Sequence, residues 1–104
     1  MIFADSGQEL VSVDGNWSRD VALGHLDGDG DSDAFVVQGA SSVVQDNVIW
    51  INNGDAGFDE DPQLVGNGDS RSVVLSDLDA DGDLDAAIAN AGSSIPNDDE
   101  VWIN

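Results

Sequence analysis

Residues 23–34 read LGHLDGDGDSDA and residues 75–86 read LSDLDADGDLDA, so one acidic stretch occurs twice in the chain. The two copies lie 52 residues apart. The same offset pairs the WIN tripeptide at residues 50–52 with the WIN at residues 102–104, and Arg19 with Arg71. A unit of roughly 50 residues is typical of a four-stranded propeller blade. The sequence therefore predicts two tandem blades.

Short apolar runs around each acidic stretch predict β-strands, which we label A to D within a unit. The predicted strands are A at 21–23 and 73–75, B at 34–37 and 86–89, C at 47–52 and 100–104, and D at 58–65, after an Asn53-Gly54 hairpin turn. Small and β-branched residues in strand B suit a strand that is buried on both faces. The more polar, Pro-containing strand D is typical of a sheet edge. No sustained helical period occurs, so the predicted fold class is all-β, with antiparallel blades.

The predicted strand order is D′-ABCD-ABC, because residues 3–11 resemble the D strand at 58–65. We therefore divide the single unit 1–104 into an outer strand at 1–14 that completes a neighbouring blade, blade 1 at 15–66, and blade 2 at 67–104, which lacks its outer strand. Head-to-tail pairing of copies would complete every blade and close a ring. Three copies would give about six blades and four copies about eight. The alternative is a flanking piece of a longer array of blades.

The second acidic loop has the spacing of a calcium site. It places Asp77, Asp79 and Asp81 at alternate positions, followed by Gly82, where the backbone turns. The carbonyl of Asp83 then supplies a further ligand, and Asp85 closes the shell. Calcium binds six to eight oxygens, and five aspartates in nine residues would repel one another without a cation. The alternative interpretation is a solvated acidic turn.

The first acidic loop keeps most of this pattern, with one substitution. The acidic residues it retains are Asp27, Asp29, Asp31 and Asp33. His25 replaces the first aspartate, and imidazole is a poor ligand for calcium. We therefore expect this loop to bind Ca²⁺ more weakly than the second loop, or to stay empty.

A helical EF-hand loop is excluded, because its twelfth position carries Glu, whereas Val36 and Ile88 stand there in this chain. The pattern resembles the FG-GAP/VCBS family, the integrin-α-type propeller repeats. The resemblance rests on residues 21–33 and 73–85, and on WINNGDAGF at 50–58, which is similar to the family's blade-joining NNGDGxF segment. It implies a β-propeller whose loops bind calcium between the two inner strands and rigidify the blade. His25 departs from the family pattern.

Charge and composition restrict the partners of the chain. Against 22 Asp and Glu there are two Arg and no Lys, and the formal net charge is −20. Nucleic acid and anionic membranes are therefore not expected as partners, because both require clustered basic residues. We expect copies of the chain itself as partners, with a protein or glycan ligand also open. The N-terminus lacks a signal-peptide pattern. The resemblance implies a secreted or extracellular setting, so we expect the chain to be part of a larger protein.

Two classes of function fit the sequence: a calcium-stabilised structural module, and a lectin that binds sugars between blades. An enzyme is not expected, because Cys and Tyr are absent and the one His has no nucleophile placed near it by sequence. Trp50 and Trp102 repeat with the fold, so packing between blades is favoured over sugar stacking. Trp17 has no repeat partner and is expected to be exposed. Arg19 and Arg71 are expected just before the A strands, where they neutralise loop carboxylates or contact a neighbouring blade.

Overall fold

The computed structural model describes residues 1–11, 17–39, 45–55, 57–66, 68–91 and 98–104. These residues form seven β-strands: β1 (Ser18–Gly24), β2 (Asp33–Gln38), β3 (Val48–Asn52), β4 (Phe58–Glu60), β5 (Ser70–Ser76), β6 (Asp85–Asn90) and β7 (Glu100–Trp102). They make two antiparallel sheets, of four strands in the order β1-β2-β3-β4 and of three strands in the order β5-β6-β7. No helix occurs in the described residues, and hence none that is able to cross a membrane. The all-β prediction is confirmed.

The strands follow the predicted A-to-D order, with shifted boundaries. Strand A is longer than predicted, beginning at Ser18 in the first sheet and at Ser70 in the second. Strand D is shorter and ends at Glu60 instead of residue 65. Pro62 explains this end, because proline has no N–H to donate to a neighbouring strand. The main-chain bond from Asp61 N to Ile49 O, at 2.9 Å, lies just before Pro62, and the segment rejoins the sheet further on, where Asn47 N donates to Gly66 O at 3.1 Å.

No strand is assigned within residues 1–11. The D′ strand expected there was predicted to pair with another copy of the chain, so it stays a prediction. Leu10 already packs on the first sheet, and the Gln8 side chain donates from Nε2 to the Phe58 carbonyl at 3.0 Å. The proposed boundary at residue 14 lies outside the described residues.

The two sheets stack face to face around one apolar core. Side chains on a strand alternate between its two faces, so every second residue of β2 points at the second sheet. The first sheet contributes Ala22, Phe35, Val37 and Ile49, together with Val65 beyond β4; the second contributes Val73, Leu75, Ala86, Ile88 and Trp102. The opposite side of the first sheet carries a smaller cluster of Ala34, Val48 and Trp50, with Val36, Phe58 and Leu10 against it. Both repeated tryptophans are thus packing residues.

Polar contacts and two glycines fix how closely the sheets approach. The Asp20 carboxylate on β1 accepts hydrogen bonds from Ser72 Oγ and Val73 N on β5, both at 3.1 Å. An added Cβ at Gly39 would lie 2.6 Å from Asp69 Oδ1 and 2.7 Å from Ser70 N. At Gly24 it would lie 2.6 Å from the Leu84 side chain. A residue without a side chain is therefore required at Gly39, where backbone atoms lie close, whereas at Gly24 the end of the Leu84 side chain would have to move.

The two arginines lie inside strands A, rather than before them, because those strands begin earlier than predicted. Arg71 Nη2 forms an ion pair of 2.8 Å with Oδ2 of the buried Asp69 in its own sheet. Arg19 donates from Nε to the Gly39 carbonyl at 2.9 Å. These two partners, Asp69 and Gly39, therefore lie at the strand ends remote from the acidic loops.

Candidate metal centre

Both acidic loops connect an A strand to the B strand that follows it. The first runs from β1 to β2, and the second from β5 to β6. Since strands A and B are antiparallel neighbours, each loop makes a tight reversal at a sheet end. The acidic side chains of one loop must then lie close together, which is costly for like charges without a cation.

In the second loop, carboxylates accept hydrogen bonds from the loop's own backbone. Asp81 N donates to Asp77 Oδ1 at 3.1 Å, and Gly82 N donates to Asp77 Oδ2 at 3.0 Å. Asp83 N donates to Asp81 Oδ1 at 2.9 Å. These bonds are the aspartate turns that this residue type favours, and they wrap the backbone around the carboxylates.

Two residues of this loop have a left-handed backbone, Gly82 with φ of 101° and Ala80 with φ of 65°. Glycine adopts that region freely, whereas alanine is strained there. The residue that matches Ala80 in the first loop is Gly28, whose φ is 81°. The second loop therefore keeps the same backbone shape with a less suitable residue.

Three carboxylates of the second loop converge. One oxygen atom from each of Asp77, Asp79 and Asp85 lies within 4.8 Å of the other two. Calcium binds oxygen at 2.3–2.6 Å, so two ligands on opposite sides of one ion are about 4.6–5.2 Å apart. The three oxygens therefore fit around a single cation of this size. Asp81 and Asp83, also predicted as ligands, do not belong to this group.

Asp85 is the buried member of the group and anchors it to the sheet. Its Oδ2 accepts from Leu78 N at 2.7 Å, and its Oδ1 accepts from Asn104 N at 2.8 Å. The Asn104 and Leu78 N–H groups stabilise the carboxylate and hold the pKa of Asp85 below its ordinary value. This side chain is therefore ionised and fixed in place before any cation binds.

Asp79 shows the opposite behaviour. Desolvation raises the pKa of Asp79; the Asp81 N–H opposes this, and the carboxylates of Asp81 and Asp85 raise the pKa further. The net pKa lies above the ordinary value of 3.8. A cation between these carboxylates would remove the repulsion that contributes to the raised pKa. The electrostatics of the loop thus favour a multivalent cation.

The first loop has a different arrangement of its carboxylates. Asp33 is fully buried and accepts from Leu26 N at 2.8 Å and from Asn52 N at 2.9 Å, as Asp85 does in the second loop. Asp29 N donates to Asp27 Oδ1, and Asp31 N donates to Asp29 Oδ1. Among the described residues, Asp27, Asp29, Asp31 and Asp33 do not form a converging group like that of the second loop. His25 is exposed beside them.

Repulsion is present in the first loop as well. The Asp29 N–H lowers the pKa of Asp27, but desolvation and the carboxylates of Asp29 and Asp33 outweigh it, so the net pKa is raised. Asp31 turns towards the β3–β4 connection, where an added Cβ at Gly54 would lie 3.2 Å from its Oδ2. The first loop is therefore charged and crowded, and its carboxylates do not converge as those of the second loop do.

Sequence reasoning missed the contribution of Asn104. Its backbone N–H binds Asp85 in the second loop, while its side-chain Nδ2 donates to the Leu26 carbonyl in the first loop at 2.9 Å. Asn52 has the matching place in the first sheet, binding Asp33 through N and the Ser32 carbonyl through Nδ2. The repeated WIN tripeptide was the available signal, although it was interpreted only as strand. Asn104 joins the two loops of the chain.

A cleft of about 320 Å³ opens between the sheets beside these loops. Its walls combine apolar residues such as Ile51 and Ile103 with the polar groups of Asp61, Gln63 and Asn104. Trp102 also lines it. The cleft thus brings an indole and several polar side chains into one concavity between the sheets.

Comparison with known proteins identifies one family. The family described as FG-GAP-like repeat matches residues 25–88, which is more than half of the chain and includes both acidic loops. Neither the curated proteins nor the solved structures gave a match. The resemblance inferred from the acidic loops is thereby confirmed.

Proposed function

Because this chain belongs to the FG-GAP-like repeat family, we propose that it is a calcium-binding structural module: a pair of β-propeller blades that associates with copies of itself. It acts by presenting a rigid scaffold rather than by catalysing a reaction. The convergence of Asp77, Asp79 and Asp85 is the observation that carries this proposal.

The donor set selects the class of cation. All three converging groups are carboxylates, and hard oxygen ligands suit Ca²⁺ rather than Zn²⁺ or copper, which favour nitrogen and sulfur. Calcium also tolerates irregular coordination, which suits a loop that supplies ligands from consecutive turns. Asp81 and the carbonyl of Asp83 complete the ligand set in this proposal. The second loop is the stronger site, and the His25 loop is weaker.

Bound calcium would stabilise the blade by tying its strands together. Asp77 and Asp79 follow β5, Asp85 begins β6, and Asp85 is bonded to Asn104 just beyond β7. A cation held by these three carboxylates would therefore connect the ends of all three strands of the second sheet. Because the ion binds the folded state alone, its binding energy adds to the stability of the fold. Calcium sites of extracellular modules have dissociation constants of about 10⁻⁴–10⁻³ M, which suits the secreted setting that we propose.

In this proposal, self-assembly uses the outer edge of the second sheet. Within the described residues, β7 has β6 as its one strand neighbour, whereas the matching β3 has β2 and β4. In this proposal, residues 1–14 of one copy supply the missing outer strand of the next. Three or four copies would then close a ring of about six or eight blades.

Calcium binding is tested by titrating the chain with Ca²⁺. The binding is measured by isothermal calorimetry and by the displacement of luminescent Tb³⁺. Asp79→Asn is the informative variant, and Asp59→Asn is the control, because Asp59 is an exposed acid on β4 away from the loops. We expect Asp79→Asn to weaken binding at least about tenfold, since a carboxylate ligand is lost, and Asp59→Asn to leave it unchanged. Equal affinity of both variants and the native chain would refute the site.

The cleft between the sheets makes glycan binding a second candidate function. Asp61 and Gln63 offer hydrogen bonds to hydroxyl groups, and the indole of Trp102 offers an apolar face. A glycan array answers this directly. Binding that is lost in a Gln63→Ala variant would support a lectin, and an array without signal would remove the candidate.

A further inference from the structure

We propose that a second copy of the chain docks on the outer face of the first sheet, using the outer face of its own second sheet, and so reproduces the packing between sheets inside one chain. This inference rests on the self-association in the proposed function and specifies its surfaces. Outer face 1 consists of Val21, Leu23, Ala34, Val36 and Trp50. Outer face 2 consists of Val74, Ala87, Ala89 and Val101.

Every residue of the two outer faces corresponds, through the internal repeat, to a residue that lies in the contact between the two sheets of one chain. With the offset of 52 residues, outer face 1 matches the side of the second sheet that is buried in the core: Val73, Leu75, Ala86, Ile88 and Trp102. Outer face 2 likewise matches the side of the first sheet that is buried there: Ala22, Phe35, Val37 and Ile49. Each sheet thus carries both kinds of contact surface, one on each side. Inside the chain, each sheet uses one of these surfaces and leaves the other free of a sheet partner among the described residues.

Exposure distinguishes the used and unused halves on the A strands and on β7. Val73 is 5% exposed in the internal contact, whereas its match Val21 is 54% exposed. Leu23, Val74 and Val101 are 66%, 62% and 63% exposed, while Ala34 and Trp50 of outer face 1 are 3% and 7% exposed. Strand residues that are apolar on both faces belong to sheets covered on both sides. The outward residues of β1, β5 and β7 therefore lack a cover within the described residues, and each outer face matches in sequence the partner that the other needs.

The N-terminal segment contacts outer face 1. Val65 ends the segment before β5 and packs in the core between the sheets. Leu10 lies in the corresponding segment before β1 and packs on the cluster of Ala34, Val48 and Trp50. Residues Met1, Ile2 and Phe3, further upstream, are almost fully exposed. The segment thus touches the proposed docking face through Leu10 and leaves residues 1–3 uncovered for a strand partner.

The internal register of β3 and β4 predicts how this segment pairs with β7 of the second copy. Inside the chain, Asn52 faces Phe58, Ile51 faces Asp59, and Trp50 faces Glu60. Phe3 matches Phe58, so the predicted intermolecular pairs are Asn104 with Phe3, Ile103 with Ala4, and Trp102 with Asp5. Cysteines at two facing positions of antiparallel strands are close enough to bridge.

The joint between copies differs from the internal contact at Gly39. An added Cβ there would lie 2.7 Å from Ser70 N; at the joint, Ala91 stands in place of Gly39 and Ser18 in place of Ser70. A docked second sheet must therefore stand slightly further away at this point. The expected consequence is a reversible contact between copies, weaker than the one inside the chain, and an Ala91→Gly variant that associates more tightly.

The decisive experiment measures mass by light scattering in saturating calcium for the full chain and three charge-matched variants. Leu23→Asp places a charge on outer face 1, and Val74→Asp places one on outer face 2. Leu64→Asp is the control, because Leu64 is 68% exposed and belongs to neither face. All three residues are exposed, so none of the changes removes core packing. Circular dichroism and calcium-dependent Tm verify that each variant folds.

We expect the native chain and Leu64→Asp to associate, and Leu23→Asp and Val74→Asp each to lose association about tenfold or more, because the contact would bury an unpaired charge. An equimolar mixture of the two impaired variants should restore a dimer of twice the monomer's 10.8 kDa, since one variant keeps outer face 2 and the other keeps outer face 1. Ala4→Cys mixed with Ile103→Cys should then form a disulfide between chains, whereas Ser6→Cys, shifted by two residues, should not.

The outcomes separate this inference from the function on which it rests. If Leu23→Asp and Val74→Asp associate like the native chain, the docking surfaces are wrong, while calcium binding and self-association stand. A mixture that stays monomeric would overturn the head-to-tail arrangement. A native chain that binds calcium and remains a monomer would overturn both self-association and this inference, and would leave the calcium site intact.

Discussion

Replacing Ile88 by alanine tests whether the two sheets share one core. Ile88 lies in β6, is 2% exposed and packs between the sheets. The change removes three buried carbon atoms, a transfer cost of about 2.4 kcal/mol at roughly 0.8 kcal/mol for each. The cavity left behind adds to this, so we expect the free energy of unfolding to fall by about 2–5 kcal/mol. For a chain of this size, each kcal/mol corresponds to roughly 4–8 °C in Tm.

The repeat supplies a matched control for this experiment. Val36 stands at the same place in β2 but on the outer side of the first sheet, where it is half-buried. Val36→Ala should therefore cost roughly 1 kcal/mol or less in the monomer. Urea titration followed by tryptophan fluorescence, with calcium in all samples, measures both variants. Equal, small losses for both would refute the shared core and leave two sheets that fold independently.

Further predictions concern the loops, the pH and the salt. Ala80→Gly should raise the free energy of unfolding by up to about 1 kcal/mol in urea titrations, because it relieves a left-handed alanine; a loss would show that the loop is not strained there. The Val73 N–H, together with Ser72 and the Val21 N–H, lowers the pKa of Asp20 in the folded chain. The stability that Asp20 adds is therefore fully present above its unfolded pKa of about 3.9 and is lost as the pH falls through the folded value. Melting curves of Asp20→Asn and the native chain should accordingly differ at neutral pH and converge in acid, and a constant difference would contradict this. Finally, with a net charge of −20 on each copy, sedimentation should show stronger association as added NaCl screens the repulsion, and weaker association in salt would point to a polar joint.

Much of the fold was predictable because the two repeats constrain each other. An apolar run before and after each acidic stretch indicated strands A and B, and the offset carried that assignment across the chain. The ends of strands were harder to predict. Strand D stops at Glu60 because of Pro62, and strand A begins at Ser18 because its first residues pair with the end of β2. Such ends depend on main-chain partners that side-chain patterns do not reveal.

The candidate site was predictable in composition but not in geometry. The spacing indicated nine acidic residues, and of these Asp77, Asp79 and Asp85 converge through one carboxylate oxygen each. The direction of each carboxylate depends on which backbone N–H it accepts from, and on left-handed residues such as Ala80. The sequence also did not indicate which face of each strand is buried and which is exposed. Val21 and Val73 are the same residue type at the same repeat position, and tertiary packing alone makes them differ.

Asn104 gives the chain a mechanical property that its two bonds imply. Tension on the backbone beyond Trp102 would pass through the Asn104 N–H to Asp85 and through its side chain to the Leu26 carbonyl. Two loops on different sheets would therefore share the load, and neither would open before the other bond is stretched. If calcium stiffens the second loop, the force that the module resists becomes dependent on calcium concentration. A scaffold under tension at both ends would in this way resist unfolding most strongly where the calcium concentration is high.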